Sequence, residues 1–167
     1  TDVSVFLTGK AGTGKTTFLR RLRELSPKRM VVLAPTGVAA INAQGQTIHS
    51  FFQLPTGPMV PGAQNKETSH YRMSKDKKKL IRTLDLLVID EMSMVRCDLL
   101  DAVDQELRRH RGINKPFGGV QLLLIGDLQQ LPPVAKDSEW ALLSPYYHTT
   151  YFFASHALQH TKYVTVE

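Results

Sequence analysis

The feature that most constrains this chain is a glycine-rich motif set between a strand pattern and a helix pattern. Residues 9–16 read GKAGTGKT and fit the phosphate-loop template G-x-x-x-x-G-K-[ST]. The apolar run over 3–7 predicts a short buried strand before it, and the apolar spacing within 18–25 predicts a helix after it. Strand, glycine loop and helix are the context that the template requires. The alternative is a chance glycine turn, which a complete match in this context disfavours.

The residue types in this motif suit the phosphates of a nucleotide. Gly12 and Gly14 allow positive φ angles, so that successive backbone N–H groups turn inward as an anion nest at a helix N-terminus. The Lys15 ammonium supplies a point charge between the β- and γ-phosphates, and the Thr16 hydroxyl can ligate Mg²⁺. We therefore predict a nucleotide and Mg²⁺ site. Its predicted cofactor-contacting residues are Gly9, Ala11, Gly12, Thr13, Gly14, Lys15, Thr16 and Thr17.

Two adjacent carboxylates end another apolar run. Residues 86–89 predict a third strand, and Asp90 and Glu91 follow it directly, in the Walker B arrangement. Asp90 can hold Mg²⁺, directly or through water, and Glu91 can orient and deprotonate a water molecule that attacks a phosphoryl group in line. Many proteins contain such a strand end by chance, so the pair gains its weight from the phosphate loop upstream.

A stretch rich in hydroxyl and aromatic side chains, residues 35–52, follows the predicted strand 30–34. In an open α/β sheet, ligands bind at the carboxyl ends of the strands. The hydroxyls, the imidazole of His49 and the rings of Phe51 and Phe52 suit the phosphates and stacked bases of a single nucleic acid strand. The alternative is that both rings belong to the core and that His49 makes an internal hydrogen bond, because aromatic side chains are more often buried than displayed.

A polar segment after the predicted strand 121–125 offers a further candidate. An amide placed there can hydrogen-bond a γ-phosphate and report its presence, and we choose Gln130 over Gln129 by analogy alone. Pro132 and Pro133 stiffen the exit from this segment. On spacing alone, a polar turn closed by the two prolines explains the segment equally well.

The remaining patterns complete a fold prediction. We predict an α/β domain over residues 1–167, with a mostly parallel central sheet flanked by helices as in phosphate-loop NTPases. The other predicted elements are a helix over 37–43 capped by Thr36, a long surface loop over 53–73, a basic helix from Ser74 through Arg82, an amphipathic packing helix over 95–109 with Asp98 and Asp104 outside its apolar stripe, and strands over 150–153 and 163–166.

Charge and cysteine content bear on partners and compartment. The net charge of +6 permits a polyanionic partner, although the basic run over 66–82 is equally explained as a solvated face. The single cysteine, Cys97, cannot form an internal disulfide, which favours a packing role and a reducing, intracellular location: the cytoplasm, or the nucleus or mitochondrion of a eukaryote. Without a signal-peptide pattern or an apolar run of ~18 residues, we expect no membrane partner.

Four ordered blocks together resemble the first motor domain of the Pif-family DNA helicases, a branch of superfamily one related to the RecD-like helicases. The blocks read GKAGTGKTT, APTGVAAINAQGQTIHSFF, VIDEMSMV and FGGVQLLLIGDLQQLPPV. The resemblance implies a RecA-like fold that uses ATP and Mg²⁺ to move along single-stranded DNA, 5′ to 3′, and to unwind duplex DNA at junctions. It further implies a monomer that acts in DNA repair, recombination or telomere maintenance.

The resemblance also implies roles for particular residues. It assigns catalysis to Lys15, Asp90, Glu91 and Gln130, with Gln130 on the γ-phosphate, and it assigns Mg²⁺ to Thr16 and Asp90. It assigns DNA contact to Pro35, Thr36, Gly37, Thr47, His49 and Phe51.

Two parts of the family pattern are not visible in these residues. A glutamine-bearing motif that recognises adenine precedes the first strand in the family, and a second motor domain in cis supplies arginines across the ATP cleft. Because such an arginine is worth several orders of magnitude in rate, we expect the isolated chain to bind nucleotide weakly, to hydrolyse it poorly and not to unwind DNA.

Other classes of protein explain less of the sequence. A GTPase would carry N-K-x-D for guanine, whereas residues 114–117 read NKPF. Another phosphate-loop ATPase or a small-molecule kinase remains an alternative, although it has no use for the block around Thr47 and His49. A nucleic-acid-binding module without catalysis would explain the basic charge, but it leaves Glu91 without a role.

Overall fold

The computed structural model describes residues 3–10, 14–62, 73–130 and 132–167, and in these residues six strands form one sheet. The strands are β1 (Ser4–Thr8), β2 (Met30–Ala34), β3 (Gln46–Thr47), β4 (Leu86–Ile89), β5 (Gln121–Gly126) and β6 (Tyr163–Val166). Their order is β3-β2-β4-β5-β1-β6, and each pairing between neighbours is parallel. The predicted α/β class with a mostly parallel sheet is therefore confirmed.

Helices connect these strands. They are α1 (Lys15–Leu25), α2 (Gly37–Asn42), α3 (Ile48–Phe52), α4 (Lys75–Arg82), α5 (Cys97–Arg111), α6 (Asp137–Leu143) and α7 (His156–Gln159). Short 3₁₀ turns cover Met92–Met94, Pro116–Gly119 and Phe152–Ala154. In the described part of the chain, no helix has the length and apolar character that crossing a membrane requires.

The central strands are buried on both faces, as parallel strands between helical layers are. Every residue of β4 is buried, and its side chains alternate between two apolar clusters. Leu87 and Ile89 pack in the cluster that contains the buried side chains of α3, α4 and α5. Val88 packs in the other cluster, with Leu19 of α1. The centre of the sheet is thus covered by helices on both faces, whereas every residue of the edge strand β6 is exposed.

Local sequence rules set several element boundaries. The strands predicted over 30–34 and 86–89 have those bounds in the structure. The Thr36 hydroxyl oxygen accepts a hydrogen bond from the Ala39 N–H at 3.2 Å and caps α2. The Ser74 hydroxyl oxygen accepts from Lys77 N–H at 3.2 Å and caps α4. Both predicted caps are confirmed.

The strand predicted over 150–153 is wrong. In its place a 3₁₀ turn covers Phe152–Ala154, and Phe152 packs against Phe6 with ring centroids 5.3 Å apart. The Phe152 ring fills the core beside β1, so burial of this ring, and not strand pairing, explains its apolar character. Of the loop predicted over 53–73, residues 53–62 contain no helix or strand, and residues 63–72 lie outside the described part.

Two acidic residues of α5 lie inside the protein, contrary to the prediction that they face outward. Asp98 is fully buried, and its carboxylate accepts hydrogen bonds from the Arg96 guanidinium and from the Met59 N–H. Asp104 accepts from Arg108 and from the Phe117 N–H. Both carboxylates are buried with charged or backbone partners, which is the condition under which buried charge is tolerated.

Cys97 has the packing role predicted for it. Its side chain is buried, and Sγ donates to the Thr149 carbonyl oxygen at 3.3 Å. Burial, followed by the nearby Asp98 charge, raises the pKa of the thiol to about 12. The thiol is therefore a structural group and a poor nucleophile.

Candidate nucleotide and DNA sites

The described ends of the phosphate loop lie between β1 and α1. Gly14 caps α1 with a φ of +88°, a left-handed conformation that glycine adopts without steric conflict. Lys15 is the first residue of α1, and its ammonium donates to the carbonyl oxygen of Gly9 across the loop. The ammonium thus lies where it can exchange a backbone carbonyl for a phosphate oxygen. The predicted contacts at 11–13 lie outside the described residues.

The strand order brings the other catalytic candidates to the same place. Because β5 lies between β4 and β1, the carboxyl ends of the three strands meet at one edge, where a cleft of about 350 Å³ opens. Its lining residues are Gly14, Lys15, Thr16, Asp90, Glu91, Gly126, Asp127 and Gln130. All four predicted catalytic residues therefore share one cleft. Gly9 lines an adjoining cavity of about 650 Å³ together with Phe18, whereas Thr17 lines neither.

Glu91 enters the cleft from a strained backbone. Its φ of +54° and ψ of +47° are left-handed, a conformation that disfavours a residue with a Cβ by roughly 1–2 kcal/mol. The Glu91 N–H donates to Oδ1 of Asp90 at 2.9 Å, which supports this turn. The chain then enters the 3₁₀ turn Met92–Met94, so both carboxylates stay at the strand end. Backbone strain of this kind is found most often at functional sites.

Gln130 is held at the cleft by a residue that the sequence analysis did not select. The Ser93 hydroxyl, on a side chain only 4% exposed, donates to Oε1 of Gln130 at 2.7 Å. The 3₁₀ turn that carries Ser93 lies so close to β5 that a Cβ on Gly126 would be 3.1 Å from Cβ of Met92. Ser93 lies in the VIDEMSMV block, but the sequence gives it no role, because its contact joins residues 37 positions apart.

The candidate DNA-contacting residues lie along the same sheet edge, on the far side from the phosphate loop. They lie at or after the ends of β2 and β3, which β4 and β5 separate from β1. The register pairs Ala34 with Thr47, which brings the segment after β2 beside the segment after β3. Thr47 caps α3 by accepting from the Ser50 N–H at 3.2 Å, as Thr36 caps α2. Each hydroxyl keeps its own hydrogen to donate.

The aromatic pair at this edge is part of the core. Phe51 and Phe52 are 1% and 2% exposed, and their rings pack edge to face with centroids 4.9 Å apart. The alternative that the rings are core residues is therefore confirmed. Burial this complete contradicts the expected contact between the Phe51 ring and DNA, because a buried ring has no face to offer a base. The other five candidates, Pro35, Thr36, Gly37, Thr47 and His49, are at least partly accessible.

The His49 side chain is half-buried, and nearby charges affect its pKa. Burial, reinforced by the positive charge of Arg96 and opposed by Asp98, lowers the pKa of the imidazole below its usual value. A neutral ring can stack or form a hydrogen bond, but it supplies no positive charge to a phosphate.

A family model described as "PIF1-like helicase" matches residues 2–148. The chain belongs to the PIF1-like helicase family. Among curated relatives of this family, it is 40% identical over 146 residues to the ATP-dependent DNA helicase Pif1 of Bdellovibrio bacteriovorus, covering 84% of this chain and 32% of that protein. It is 42% identical over 142 residues to human ATP-dependent DNA helicase PIF1, covering 81% of this chain and 21% of that protein. The chain thus spans a third or less of either relative.

Solved structures of the family agree with the observed fold. Bacteroides Pif1 bound to single-stranded DNA is 47% identical and superimposes with a TM-score of 0.92, over 99% of this chain and 38% of that one. Bacteroides Pif1 in complex with ADP-AlF4 is also 47% identical, with a TM-score of 0.93 over the same shares. Pif1 from Candida albicans is 35% identical with a TM-score of 0.75, over 99% of this chain and 36% of that one. The expected RecA-like helicase fold is confirmed.

Proposed function

We propose that this chain is the first motor domain of an ATP-dependent DNA helicase. In the complete protein it would move along single-stranded DNA, 5′ to 3′, and unwind duplex DNA at junctions. The observation that carries the proposal is the convergence of the four predicted catalytic residues on one cleft. A protein that only binds nucleic acid needs no water-activating carboxylate beside a phosphate site. Relatives named as ATP-dependent DNA helicases support the choice of nucleotide and polymer.

The cleft offers each group that ATP hydrolysis requires. The Lys15 ammonium attracts the β- and γ-phosphates, and the Gln130 amide donates to the γ-phosphate. Glu91 orients the attacking water and accepts its proton. The Thr16 hydroxyl and the Asp90 carboxylate are oxygen ligands of the kind that Mg²⁺ prefers, and both line the cleft. When bound there, the ion would neutralise phosphate charge.

The edge after β2 and β3 is the proposed track for single-stranded DNA. The Thr36 and Thr47 hydroxyls can each donate to a phosphate oxygen while they cap α2 and α3. Exposed Gly37, which has no side chain, lets a strand approach the backbone closely beside Pro35. The neutral His49 ring is available to stack on a base or to hydrogen-bond it. Phe51 supports this edge from the core.

The remaining proposals concern what completes the motor. Residues 1–167 would form one domain of a monomeric, intracellular enzyme, and a second motor domain in cis would supply arginines to the ATP cleft. Because an arginine finger contributes about 10³–10⁵ in rate, the isolated chain should hydrolyse ATP slowly and should not unwind DNA.

Single-turnover hydrolysis of Mg-ATP by the purified chain, with and without single-stranded DNA, tests the enzymatic proposal. Glu91→Gln should keep nucleotide affinity within about twofold and slow hydrolysis by about 10²–10⁴, because the general base is lost and the fold is not. Glu24→Gln, an exposed change on α1, is the matched control and should leave the rate unchanged. Unchanged hydrolysis in Glu91→Gln, or transfer of phosphate to a small-molecule acceptor instead of water, would favour a different phosphate-loop enzyme.

A further inference from the structure

The hydrogen bond between Ser93 and Gln130 joins the two turns that flank the cleft. Ser93 lies two residues after Glu91, in the 3₁₀ turn that ends the β4 segment, and Gln130 lies in the turn that follows β5. The hydroxyl donates to Oε1 of Gln130 at 2.7 Å. Ser93 is buried, whereas Gln130 is exposed at the cleft. A buried donor therefore holds one end of an exposed, functional amide.

This contact decides which end of the amide is available. A glutamine amide has an acceptor oxygen and a donor nitrogen, and a phosphate can only accept hydrogen bonds. Since the Ser93 hydroxyl occupies the oxygen, the nitrogen is the end left to meet a γ-phosphate. Without that hydroxyl, rotation of the terminal amide torsion would expose oxygen to the phosphate part of the time. An oxygen facing a phosphate is repelled by it.

The contact also ties Gln130 to the turn that carries the proposed base. The close approach of Gly126 to Met92 leaves little space between the turn 92–94 and the end of β5. A shift of Gln130 toward a γ-phosphate would therefore pull on Ser93 and on the left-handed backbone of Glu91. We propose that Ser93 is a positioning residue that presents the Gln130 amide nitrogen to the γ-phosphate and couples its position to Glu91. This inference rests on the proposed function of the cleft.

Equilibrium binding of Mg-ADP and of the non-hydrolysable triphosphate Mg-AMP-PNP to the purified chain, measured by calorimetry, tests the inference. Gln130→Ala should lower the preference for triphosphate over diphosphate by about 10-fold, as loss of a hydrogen bond to a charged group does. Ser93→Ala should lower it by about 3–10-fold and leave Mg-ADP affinity within about twofold. In the double variant Ser93→Ala should add nothing, because its effect passes through Gln130.

Matched variants separate positioning from general stability. Ser4→Ala removes another buried serine hydroxyl, which accepts from the Leu122 N–H at 2.9 Å in the sheet, and it should leave the triphosphate preference unchanged. Should Ser93→Ala fail to fold, Ser93→Cys keeps the size and shape of the side chain with a weaker donor, and the same loss of preference is expected.

The outcomes distinguish the inference from the function on which it rests. If Ser93→Ala keeps the full preference while Gln130→Ala loses it, the positioning role is overturned and the γ-phosphate role of Gln130 stands. If Ser93→Ala lowers the preference equally in the wild-type and Gln130→Ala backgrounds, Ser93 acts independently of Gln130 and the inference is also overturned. If Gln130→Ala has no effect, the proposed γ-phosphate contact itself is wrong.

Discussion

The two halves of the sheet's carboxyl edge use their polar side chains in different ways. At the cleft between β1, β4 and β5, an ammonium, three carboxylates and an amide converge on a shared space. At the edge after β2 and β3, the hydroxyls of Thr36 and Thr47 cap helices, and the Phe51 ring is buried. The cleft side chains are therefore available for the proposed ligand chemistry. At the edge, the same polar groups cap helices, so only the hydroxyl hydrogens of Thr36 and Thr47 are left for the proposed DNA contact.

This difference predicts how each half responds to mutation. Removal of a cleft side chain should change chemistry with little change in stability, because few structural contacts depend on it. Removal of an edge side chain should lower stability, and any change in DNA affinity must then be separated from damage to the fold. The following experiments test that contrast, from the largest expected effect to the smallest.

Truncation of one residue from each half gives the sharpest contrast. Phe51→Ala should lower the free energy of unfolding by about 3–5 kcal/mol, because it opens a cavity in the core. Lys15→Ala should change it by less than about 0.5 kcal/mol, yet abolish measurable binding of Mg-ATP. Urea unfolding followed by circular dichroism, together with calorimetric titration of nucleotide, measures both quantities.

A partly exposed ring provides the control for this pair. Phe153 is 41% exposed, so Phe153→Ala should destabilise the protein much less than Phe51→Ala. A Phe51→Ala protein that is as stable as the wild type but binds single-stranded DNA poorly would instead make Phe51 a surface contact and break the contrast.

A glycine behind the cleft tests how tightly its two turns are packed. A Cβ on Gly126 would lie 3.1 Å from both Cβ and N of Met92, so Gly126→Ala should destabilise the protein by about 1–3 kcal/mol. It should also slow ATP hydrolysis, because the neighbouring turn carries Glu91. Gly37→Ala is the control for stability alone, since a Cβ there meets nothing within 4 Å. Equal stability of the two variants would show that the turns have room to move.

The sequence was sufficient for features that local chemistry determines. The apolar runs of β2 and β4 end at Pro35 and Asp90, residues that interrupt strand patterns, and both strands have the predicted bounds. The phosphate-loop and Walker B residues were predicted to serve one nucleotide and Mg²⁺ site, and Gly14, Lys15, Thr16, Asp90 and Glu91 line one cleft. The spacing of residues within each motif was therefore sufficient to predict these five cleft residues.

Features that depend on contacts between distant residues were not predictable from local patterns. Five residues of α3 are too few to show a helical period, so Phe51 was open to both an exposed and a buried interpretation. The aromatic run near Phe152 fits the pattern of a strand, although the Phe152 ring packs against Phe6 of β1. Ser93 lies two residues after the Walker B pair, and only its contact with Gln130 suggests a role for it.

An exchange of one cap for another separates folding from DNA contact at the edge. Aspartate is a good N-cap, so Thr47→Asp should stay within about 0.5 kcal/mol of wild-type stability, whereas Thr47→Ala should lose about 1 kcal/mol. Because aspartate has no donor and repels phosphate, Thr47→Asp should also weaken single-stranded DNA binding by at least about 10-fold. Fluorescence anisotropy of a labelled oligonucleotide, single-stranded and then duplex, measures this affinity at several salt concentrations.

The same exchange at a different helix shows whether the effect is local. Ser74 caps the basic helix α4, none of whose residues is among the proposed DNA contacts, so Ser74→Asp should leave single-strand affinity within about twofold. Equal losses in Ser74→Asp and Thr47→Asp, on single-stranded and duplex DNA alike, would mean that generic charge attraction accounts for binding.

The smallest expected effect is the pH dependence that His49 contributes. The pKa of His49 is lower in the folded protein than its usual value of 6.5, so folding favours the neutral imidazole. The stability that this preference contributes is therefore complete above pH 6.5. It is lost as the pH falls from 6.5 toward the lowered pKa. Thermal unfolding from pH 7.5 to 5 should therefore show the wild type losing stability relative to His49→Gln, which does not titrate. At pH 7.5 the same substitution should leave the salt dependence of DNA binding unchanged, because a neutral ring releases no counterions. A reduced salt dependence in His49→Gln would show that the imidazole is charged at the edge, and that this half of the sheet binds phosphate electrostatically, as we propose for the cleft.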